Sequence, residues 1–307
     1  MFEFNKVNKS FKNDFWAQPV QVLKDLSFEV EKNKIVGFLG ANGAGKTTSL
    51  KILLNFIKHD SGSIHFQNEM GSSFVDIRKQ VGYLPERPYF YNYLTGREFI
   101  SYMGKLSDVT SDQLKSRTRS WSEGLKIDHA LDRQVRSYSK GMLQRLGFIS
   151  AVIHDPKLLI LDEPLSGLDP VGRKEFKDSL LLLKNEGKTI FFSSHIISDV
   201  EEVCEKVVVI DKGQLKFQGP IDTIIEENIE QKYSIKITGS YTEVMSIKSS
   251  FIKEDSDQLK YSYFLIPKNK KDDFLKDMIN SNIQVLHLEQ VRPSLEEVVY
   301  KIETSNG

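Results

Sequence analysis

The chain has 307 residues, enough for one large domain and one small one. Lysine plus arginine and aspartate plus glutamate each number 42, so the net charge is zero and a strongly basic surface for nucleic acid is not expected. The single cysteine, Cys204, excludes a disulfide within the chain and fits a reducing compartment. The sequence has no secretion signal and no apolar run near the ~18 residues of a membrane span, so we expect a cytoplasmic protein.

In chain order, the first two thirds of the sequence alternate strand patterns with helical ones. Residues 34–40 (KIVGFLG) are almost uniformly apolar, which is typical of a strand buried on both faces in a parallel sheet. Residues 46–57 have helical periodicity, and residues from about 85 to 150 are helical and poor in strands. Further strands are predicted at 2–8, 20–30, 59–66 (after a turn), 157–164, 189–194 and 206–219 (two strands), and further helices at 173–187 and 196–204.

The pattern changes near residue 228. Strand patterns at 233–238, 260–267 and 282–290 are accompanied by helical patterns at 270–280 and 293–303. We therefore predict an α/β domain over residues 1–227, with a mostly parallel sheet, antiparallel N-terminal strands and an inserted helical subdomain at about 85–150. A small α+β domain over residues 228–307 is expected to follow.

The sequence GANGAGKT at residues 40–47 matches G-x-x-x-x-G-K-[ST] without a mismatch, between a predicted strand and a predicted helix. Glycines permit backbone angles that turn successive N–H groups towards a phosphate, and the helix N-terminus adds partial positive charge. Lys46 can reach the β- and γ-phosphates, and the Thr47 hydroxyl can ligate Mg²⁺. We therefore predict a P-loop NTPase core that binds a nucleoside triphosphate through Gly40, Asn42, Gly43, Ala44, Gly45, Lys46, Thr47 and Thr48.

A P-loop alone leaves kinases, GTPases, helicases and transport ATPases as alternatives. The segment LLILDEP narrows them, because an apolar strand that ends in Asp162 places a carboxylate at the carboxyl edge of the sheet. Asp162 can there hold the Mg²⁺ shell, and the adjacent Glu163 can polarise the attacking water as a general base.

Three segments in fixed order resemble the ATP-binding cassette (ABC) ATPases. They are YSKGMLQR, LLILDEPLSGLDP and FFSSH, and the resemblance extends roughly over residues 7–219. Ser139 and Gly141 match the family signature Leu-Ser-Gly-Gly-Gln, which in the family contacts the γ-phosphate bound by the opposite subunit. Ser139 is also a good helix N-cap. The departures from the signature are Tyr138, Lys140 and Met142.

The resemblance also implies roles for other residues. Asp169 in SGLDP is expected at the interface between two nucleotide-binding domains, and His195 is expected to contact the γ-phosphate. Glu86 in GYLPER stands where the family usually has glutamine, from where its carboxylate would approach Mg²⁺ or the attacking water. An aromatic residue before the P-loop is expected to stack on adenine; the candidate is Phe11, with Phe15 and Trp16 as alternatives.

The resemblance implies that two chains pair head to tail around two ATP molecules with Mg²⁺. The expected function is the ATP-hydrolysing subunit of a bacterial multi-subunit ABC transporter, a group that includes many exporters. The expected partners are a second ATPase subunit and a separate integral membrane permease, and the expected location is peripheral, on the inner face of the cell membrane. No nucleic-acid partner is expected. The alternatives are a soluble ABC ATPase that acts on ribosomes or DNA and a P-loop kinase.

Overall fold

The computed structural model describes residues 1–12, 16, 18–229, 232–238, 252–254 and 261–304. Its contacts divide the chain into two compact units, Met1–Ile221 together with Val299–Gly307, and Asp222–Val298. The contacts thus place the first boundary after Ile221, whereas the sequence pattern places it after residue 227.

The described residues form thirteen strands and ten α-helices. The strands are β1 (Phe2–Phe11), β2 (Val20–Val30), β3 (Ile35–Leu39), β4 (Ser61–Phe66), β5 (Val81–Leu84), β6 (Leu158–Asp162), β7 (Thr189–Ser194), β8 (Lys206–Asp211), β9 (Gln214–Pro220), β10 (Lys232–Thr238), β11 (Ile252–Glu254), β12 (Tyr261–Pro267) and β13 (Val285–Gln290). The helices are α1 (Lys46–Leu53), α2 (Phe74–Lys79), α3 (Gly96–Leu106), α4 (Ser111–Gly124), α5 (Lys140–Val152), α6 (Pro170–Asn185), α7 (Ile197–Val203), α8 (Ile221–Glu227), α9 (Lys271–Asn280) and α10 (Leu295–Thr304).

A six-stranded sheet in the order β5-β6-β7-β3-β8-β9 forms the centre of the first unit. The first five of these strands are parallel, and β9 pairs antiparallel with β8. Every residue of β3, β6 and β7 is buried, which explains why these strands are apolar without alternation. Because the strands are parallel, the carboxyl ends of β3, β6 and β7 lie side by side.

The N-terminal strands form a second, antiparallel sheet in the order β2-β1-β4. Its core contacts the central sheet through Phe28, whose ring centroid lies 4.6 Å from that of Phe4, 5.6 Å from that of Phe38 and 5.8 Å from that of Phe191. Burying each such ring stabilises the fold by about 1.5–3 kcal/mol. The aromatic cluster thus holds the antiparallel sheet beside the strands that carry the P-loop.

Helices α3, α4 and α5 are inserted between β5 and β6. Thr95 and Thr110 begin α3 and α4 with capping boxes, in which the hydroxyl and the side chain three residues later satisfy backbone N–H groups. Gly104 lets the two helices approach, because a Cβ at that position would lie 2.6 Å from Leu114 Cδ1. The insertion corresponds to the helical subdomain that the sequence indicates.

The second unit contains a four-stranded antiparallel sheet in the order β11-β12-β10-β13. Its core includes Ile235 of β10, Phe264 of β12, and Phe274 and Met278 of α9, all of them buried. The sequence predicts three of these strands and the helix, but not the three-residue β11.

The predicted α/β class with a mostly parallel sheet is confirmed, but strand β5 and helix α8 were not predicted. Helix α1 ends at Leu53 and not near residue 57, because Asn55 has a positive φ of 55° that no α-helix can continue through. The short helix α2 was not predicted. Within the described residues, we find no helix with the length and apolarity that crossing a bilayer requires.

The structure predicts a pH dependence of stability at His154. Its Nε2–H donates to the carbonyl of Val81 at 3.1 Å. Burial lowers the pKa of His154 below its ordinary value, the bond to Val81 opposes this shift, and the charge of Arg117 adds to it. The unfolded chain therefore binds more protons than the folded one once the pH falls below about 6.5.

We expect the free energy of unfolding to fall as the pH is lowered from 7 to 5, and His154→Gln, which keeps an N–H donor, to weaken this dependence. Urea denaturation at a series of pH values measures the effect. The exposed His65→Gln serves as the control and should retain the wild-type profile. Identical profiles for the two variants would contradict the assignment to His154.

Candidate nucleotide-binding site

A cavity of about 400 Å³ opens at the carboxyl edge of the central sheet. Parallel pairing sets Leu39 of β3 against Ser194 of β7, and Asp162 of β6 against Ser193 of β7. The loops that follow these three strands therefore converge. The cavity is lined by Val22, Ala41, Asn42, Gly43, Gly45, Lys46, Thr47, Thr48, Glu86, Glu163, Ser166 and His195.

The loop between β3 and α1 requires glycine at two crowded positions. Gly45 has a φ of 108°, and a Cβ there would lie 2.7 Å from Leu23 Cδ2. A Cβ on Gly40 would lie 2.3 Å from the carbonyl oxygen of Ile210 in β8. The loop is therefore pressed against β2 and β8, and residues with side chains would displace it.

The same loop presents unused donors to the cavity. The backbone N–H groups of Gly43, Gly45 and Thr47 donate no hydrogen bond within the described residues. Lys46 is 7% exposed, and its Nζ donates to the carbonyls of Gly40 at 2.6 Å and Ala41 at 3.3 Å. Unpaired N–H groups at a helix N-terminus beside an ammonium group fit a phosphate chain.

Asp162 is the buried carboxylate of the site, with 1% of its surface exposed. Its Oδ1 accepts hydrogen bonds from Ser193 Oγ at 2.6 Å and from Thr47 Oγ1 at 3.4 Å. Burial raises the pKa of the neighbouring Tyr83 to about 12, and the charge of Asp162 adds to this rise. A carboxylate beside a threonine hydroxyl is the oxygen donor set that suits Mg²⁺ in phosphate-binding sites.

Glu163 and His195 form a pair at the cavity. His195 Nδ1 lies 2.6 Å from Glu163 Oε2, and both residues line the cavity. Glu163 has a positive φ of 51°, and its N–H donates to Ser193 Oγ at 3.0 Å. Such a strained backbone at a non-glycine residue is maintained by its surroundings and often marks a functional site.

The lining of the cavity does not include the three residues that were predicted to act on another chain, Ser139, Gly141 and Asp169. Ser139 caps α5 by accepting from the Met142 N–H at 3.3 Å, and Asp169 caps α6 by accepting from the Gly172 N–H at 3.1 Å. The contact of these three residues with a second chain stays a prediction.

Of the aromatic candidates for adenine contact, Phe11 and Trp16 do not line the cavity. Phe11 is 36% exposed, and the ammonium of Lys9 lies 5.3 Å from its ring centroid. Trp16 is 91% exposed, and Phe15 lies outside the described residues. Val22, on β2, contributes a larger apolar side chain to the cavity lining than Ala41 does. The role of Phe11 therefore stays a prediction that the geometry does not favour.

Sequence reasoning missed Ser193, which joins Asp162 to the backbone of Glu163. The only signal was its place near the end of the apolar strand TIFFSS. It also missed Ser166, which lines the cavity. Lys140, one of the residues that differ from the family signature, donates from its Nζ to Ser166 Oγ at 3.5 Å. The stem of Lys140 lies so close to Gly167 that a Cβ there would be 2.6 Å from its Cδ.

Comparisons with known proteins agree with this site. Residues 23–166 match the family model described as ABC transporter. The uncharacterized ABC transporter ATP-binding protein sll0415 of Synechocystis sp. is 35% identical over 297 residues, which cover 95% of this chain and 81% of the relative. An ATP binding subunit of an ABC transporter has a TM-score of 0.66 at 26% identity, over 74% of this chain and 92% of that one. The cbiO1 protein of Clostridium perfringens, described as part of the ABC transporter complex cbiONQ, has a TM-score of 0.63 at 25% identity, over 74% and 90% of the two chains.

The fold and the cavity define a P-loop nucleotide-binding protein of the α/β class. Within that class the chain belongs to the ABC transporter family, as an ATP-binding subunit. Members of this family are ATPases that bind ATP, generally with Mg²⁺.

The bonds of Ser193 generate a prediction. Ser193→Ala leaves the buried Asp162 without its shortest hydrogen bond, so we expect the free energy of unfolding to fall by about 1–3 kcal/mol. We also expect weaker Mg²⁺-dependent nucleotide affinity, because Asp162 loses its orientation. Urea denaturation and nucleotide titration with and without Mg²⁺ measure the two effects. The exposed Ser198→Ala is the control, and equal behaviour of the two variants would contradict the role of Ser193.

Proposed function

We propose that the chain hydrolyses ATP at this cavity and that hydrolysis drives a separate membrane permease. The observation that carries the proposal is the convergence, on one cavity, of a phosphate-binding loop, a buried carboxylate and a carboxylate–imidazole pair. Many kinds of enzyme contain a phosphate-binding loop, but the Glu163–His195 pair adds a general base for the attacking water, which hydrolysis requires.

Nucleotide binding is assigned to the loop and its helix. The N–H groups of the loop would hold the phosphates, with Lys46 turning from its present carbonyl partners to the β- and γ-phosphates. Thr47 and Asp162 would ligate Mg²⁺, whose charge offsets that of the phosphates. Glu86 lines the same cavity and would contact the Mg²⁺ shell or the attacking water.

Hydrolysis is assigned to Glu163 as the general base. Its carboxylate would accept a proton from the water that attacks the γ-phosphate. The 2.6 Å contact orients the ring of His195, and the hydrogen bond at Nδ1 leaves Nε2 free to face the γ-phosphate. The products would be ADP and phosphate.

A second ATP-binding subunit completes the site in this proposal. Ser139 at the start of α5 and Asp169 at the start of α6 lie outside the cavity of their own chain. In a head-to-tail pair, Ser139 and Gly141 would contact the γ-phosphate held by the partner. ATP would then favour the closed pair, because only that state makes both sets of contacts.

An exposed aromatic patch gives the permease a place to dock. The patch comprises Tyr89, Tyr91, Tyr93, Tyr102 and Leu106, of which Tyr89 is 84% exposed and Tyr93 69%. Its rings contact one another in tilted or edge-on pairs 5.6–6.1 Å apart. Exposed apolar surface of this kind is typical of an interaction site. The patch begins three residues after Glu86, which lines the nucleotide cavity. A permease docked on the patch would therefore shift the position of Glu86 beside the nucleotide.

The chain would act on the inner face of the cell membrane, as a peripheral subunit of an exporter. The relative cbiO1 is described as part of an ABC transporter complex, which supports a permease partner. The balanced charge of 42 basic and 42 acidic residues weighs against the alternative of an ABC ATPase on ribosomes or DNA.

Two variants test the catalytic assignment. Glu163→Gln should retain ATP binding and lower the hydrolysis rate by at least ~10², because the base is lost. Lys46→Ala should weaken ATP binding about tenfold to a hundredfold, since a charged contact to phosphate is lost. Nucleotide titration and phosphate release measure these effects, with the exposed Glu201→Gln as the control. A Glu163→Gln enzyme as active as the control would refute the base.

The Glu163→Gln chain also tests the partner. We expect it to co-purify with a polytopic membrane protein from gently solubilised native membranes when ATP is present. Tyr89→Ala together with Tyr93→Ala should lower the recovery at least tenfold, whereas Tyr300→Ala, at an exposed aromatic residue outside the patch, should not. Recovery with ribosomes or DNA in the soluble fraction would support the alternative function.

A further inference from the structure

A second cavity of about 550 Å³ lies between α3 and α4, away from the nucleotide site. We call it the α3–α4 cleft. Leu114 and Leu131 contribute its apolar surface, and Ser101 and Thr118 contribute hydroxyl groups. The volume falls within the range of about 300–1,000 Å³ that small-molecule sites occupy. The cleft shares no lining residue with the P-loop cavity.

Thr118 is an unusual feature of the cleft. Only 6% of this residue is exposed, yet its hydroxyl forms no hydrogen bond with any described residue. Ser122, one turn further along α4, is 2% exposed and donates to the carbonyl of Arg119 at 3.1 Å. Because Thr118 lines the cleft, its hydroxyl is available to a polar atom of a ligand bound there.

The charges around the cleft favour an anion. Arg97 is paired with Asp132 at 2.7 Å, and Arg119 is paired with Glu123 at 2.9 Å. The remaining basic side chains of the lining, Lys105 and Lys115, have no ion-pair partner among the described residues. Asp128 is the remaining acidic residue of the lining. Two ammonium groups without counter-charges thus stand beside an apolar wall.

Helix directions place these two ammonium groups at one end of the cleft. Lys105 lies in the last turn of α3, and Lys115 lies in the second turn of α4, just after the short connection between the helices. The N-terminus of α4 adds partial positive charge at the same end. Leu114 directly precedes Lys115, and Thr118 lies about one turn further along α4, so an apolar side chain and a hydroxyl lie on either side of Lys115 along the helix.

From these observations we propose that the α3–α4 cleft is a binding site for a small organic anion with an apolar body. The acidic group contacts Lys105 and Lys115, the apolar body packs on Leu114 and Leu131, and a polar atom of the ligand bonds to Thr118. This site is distinct from the nucleotide cavity and from the aromatic patch.

The test compares two probes of the same shape. We would titrate the full-length chain, saturated with ADP and Mg²⁺, with 8-anilinonaphthalene-1-sulfonate and with its uncharged analogue 1-anilinonaphthalene, and follow probe fluorescence. The sulfonate should bind at one site per chain, about fivefold to tenfold more tightly than the neutral probe, as expected for two solvent-accessible ion pairs. Equal affinities would overturn the preference for an anion.

Variants locate the probe. Lys105→Met with Lys115→Met should remove the advantage of the sulfonate, whereas Lys58→Met with Lys174→Met removes the same charge at exposed sites elsewhere and should preserve it. Ser101→Phe fills the cleft from α3 and should weaken both probes at least tenfold. Unchanged affinity in both Ser101→Phe and the Lys105→Met, Lys115→Met variant would overturn the site. Thermal unfolding and ADP affinity of each variant show that it is folded.

A spectroscopic signal gives an independent location. The chain has two tryptophans, and Trp121 lies on α4, the helix that carries Thr118. In a Trp16→Phe background, excitation of Trp121 should therefore sensitise the bound sulfonate probe, and Ser101→Phe should abolish the transfer. Probe binding without energy transfer from Trp121 would contradict the proposed location.

Discussion

Parallel pairing of β3, β6 and β7 is the constraint on which the nucleotide site depends. The register brings the ends of three strands that are distant in sequence, at Leu39, Asp162 and Ser194, to the same edge of the sheet. A slip by one residue would turn every side chain of these buried strands to the opposite face of the sheet and disrupt the packing on both faces, so the register is fixed. The positions of the glycine-rich loop, the Asp162 carboxylate and the carboxylate–imidazole pair are therefore fixed relative to one another.

Within that frame, Ser193 joins the two acidic residues of the site. One hydroxyl donates to Asp162 and accepts from the backbone N–H of Glu163, so the positions of the two carboxylates depend on each other. Glu163 reaches the cavity through a positive φ, a conformation that is costly without such support. The acidic pair is therefore preorganised by a strand neighbour, not by its own segment.

Helix α3 is the element shared by the two surfaces outside the nucleotide site. Tyr102 and Leu106 on one side of it belong to the aromatic patch, whereas Ser101 and Lys105 line the α3–α4 cleft. A packed helix moves as a unit, so a ligand in the cleft and a permease on the patch would act on the same element. The geometry thus gives the helical insertion two faces with different chemistry.

The sequence by itself determined the features that arise from local chemistry. The glycine spacing before Lys46, the uniformly apolar strands and the capping threonines of α3 and α4 each depend on a few neighbouring residues, so their patterns are readable without a fold. Only the tertiary structure decided which distant residues meet. It brought Val22 and not Phe11 to the cavity, set Ser193 beside Asp162 at a separation of 31 residues, and placed Thr118 in the lining of the α3–α4 cleft. Such contacts depend on strand register and helix packing, which minimise the exposed apolar surface of the whole chain and which no local pattern encodes.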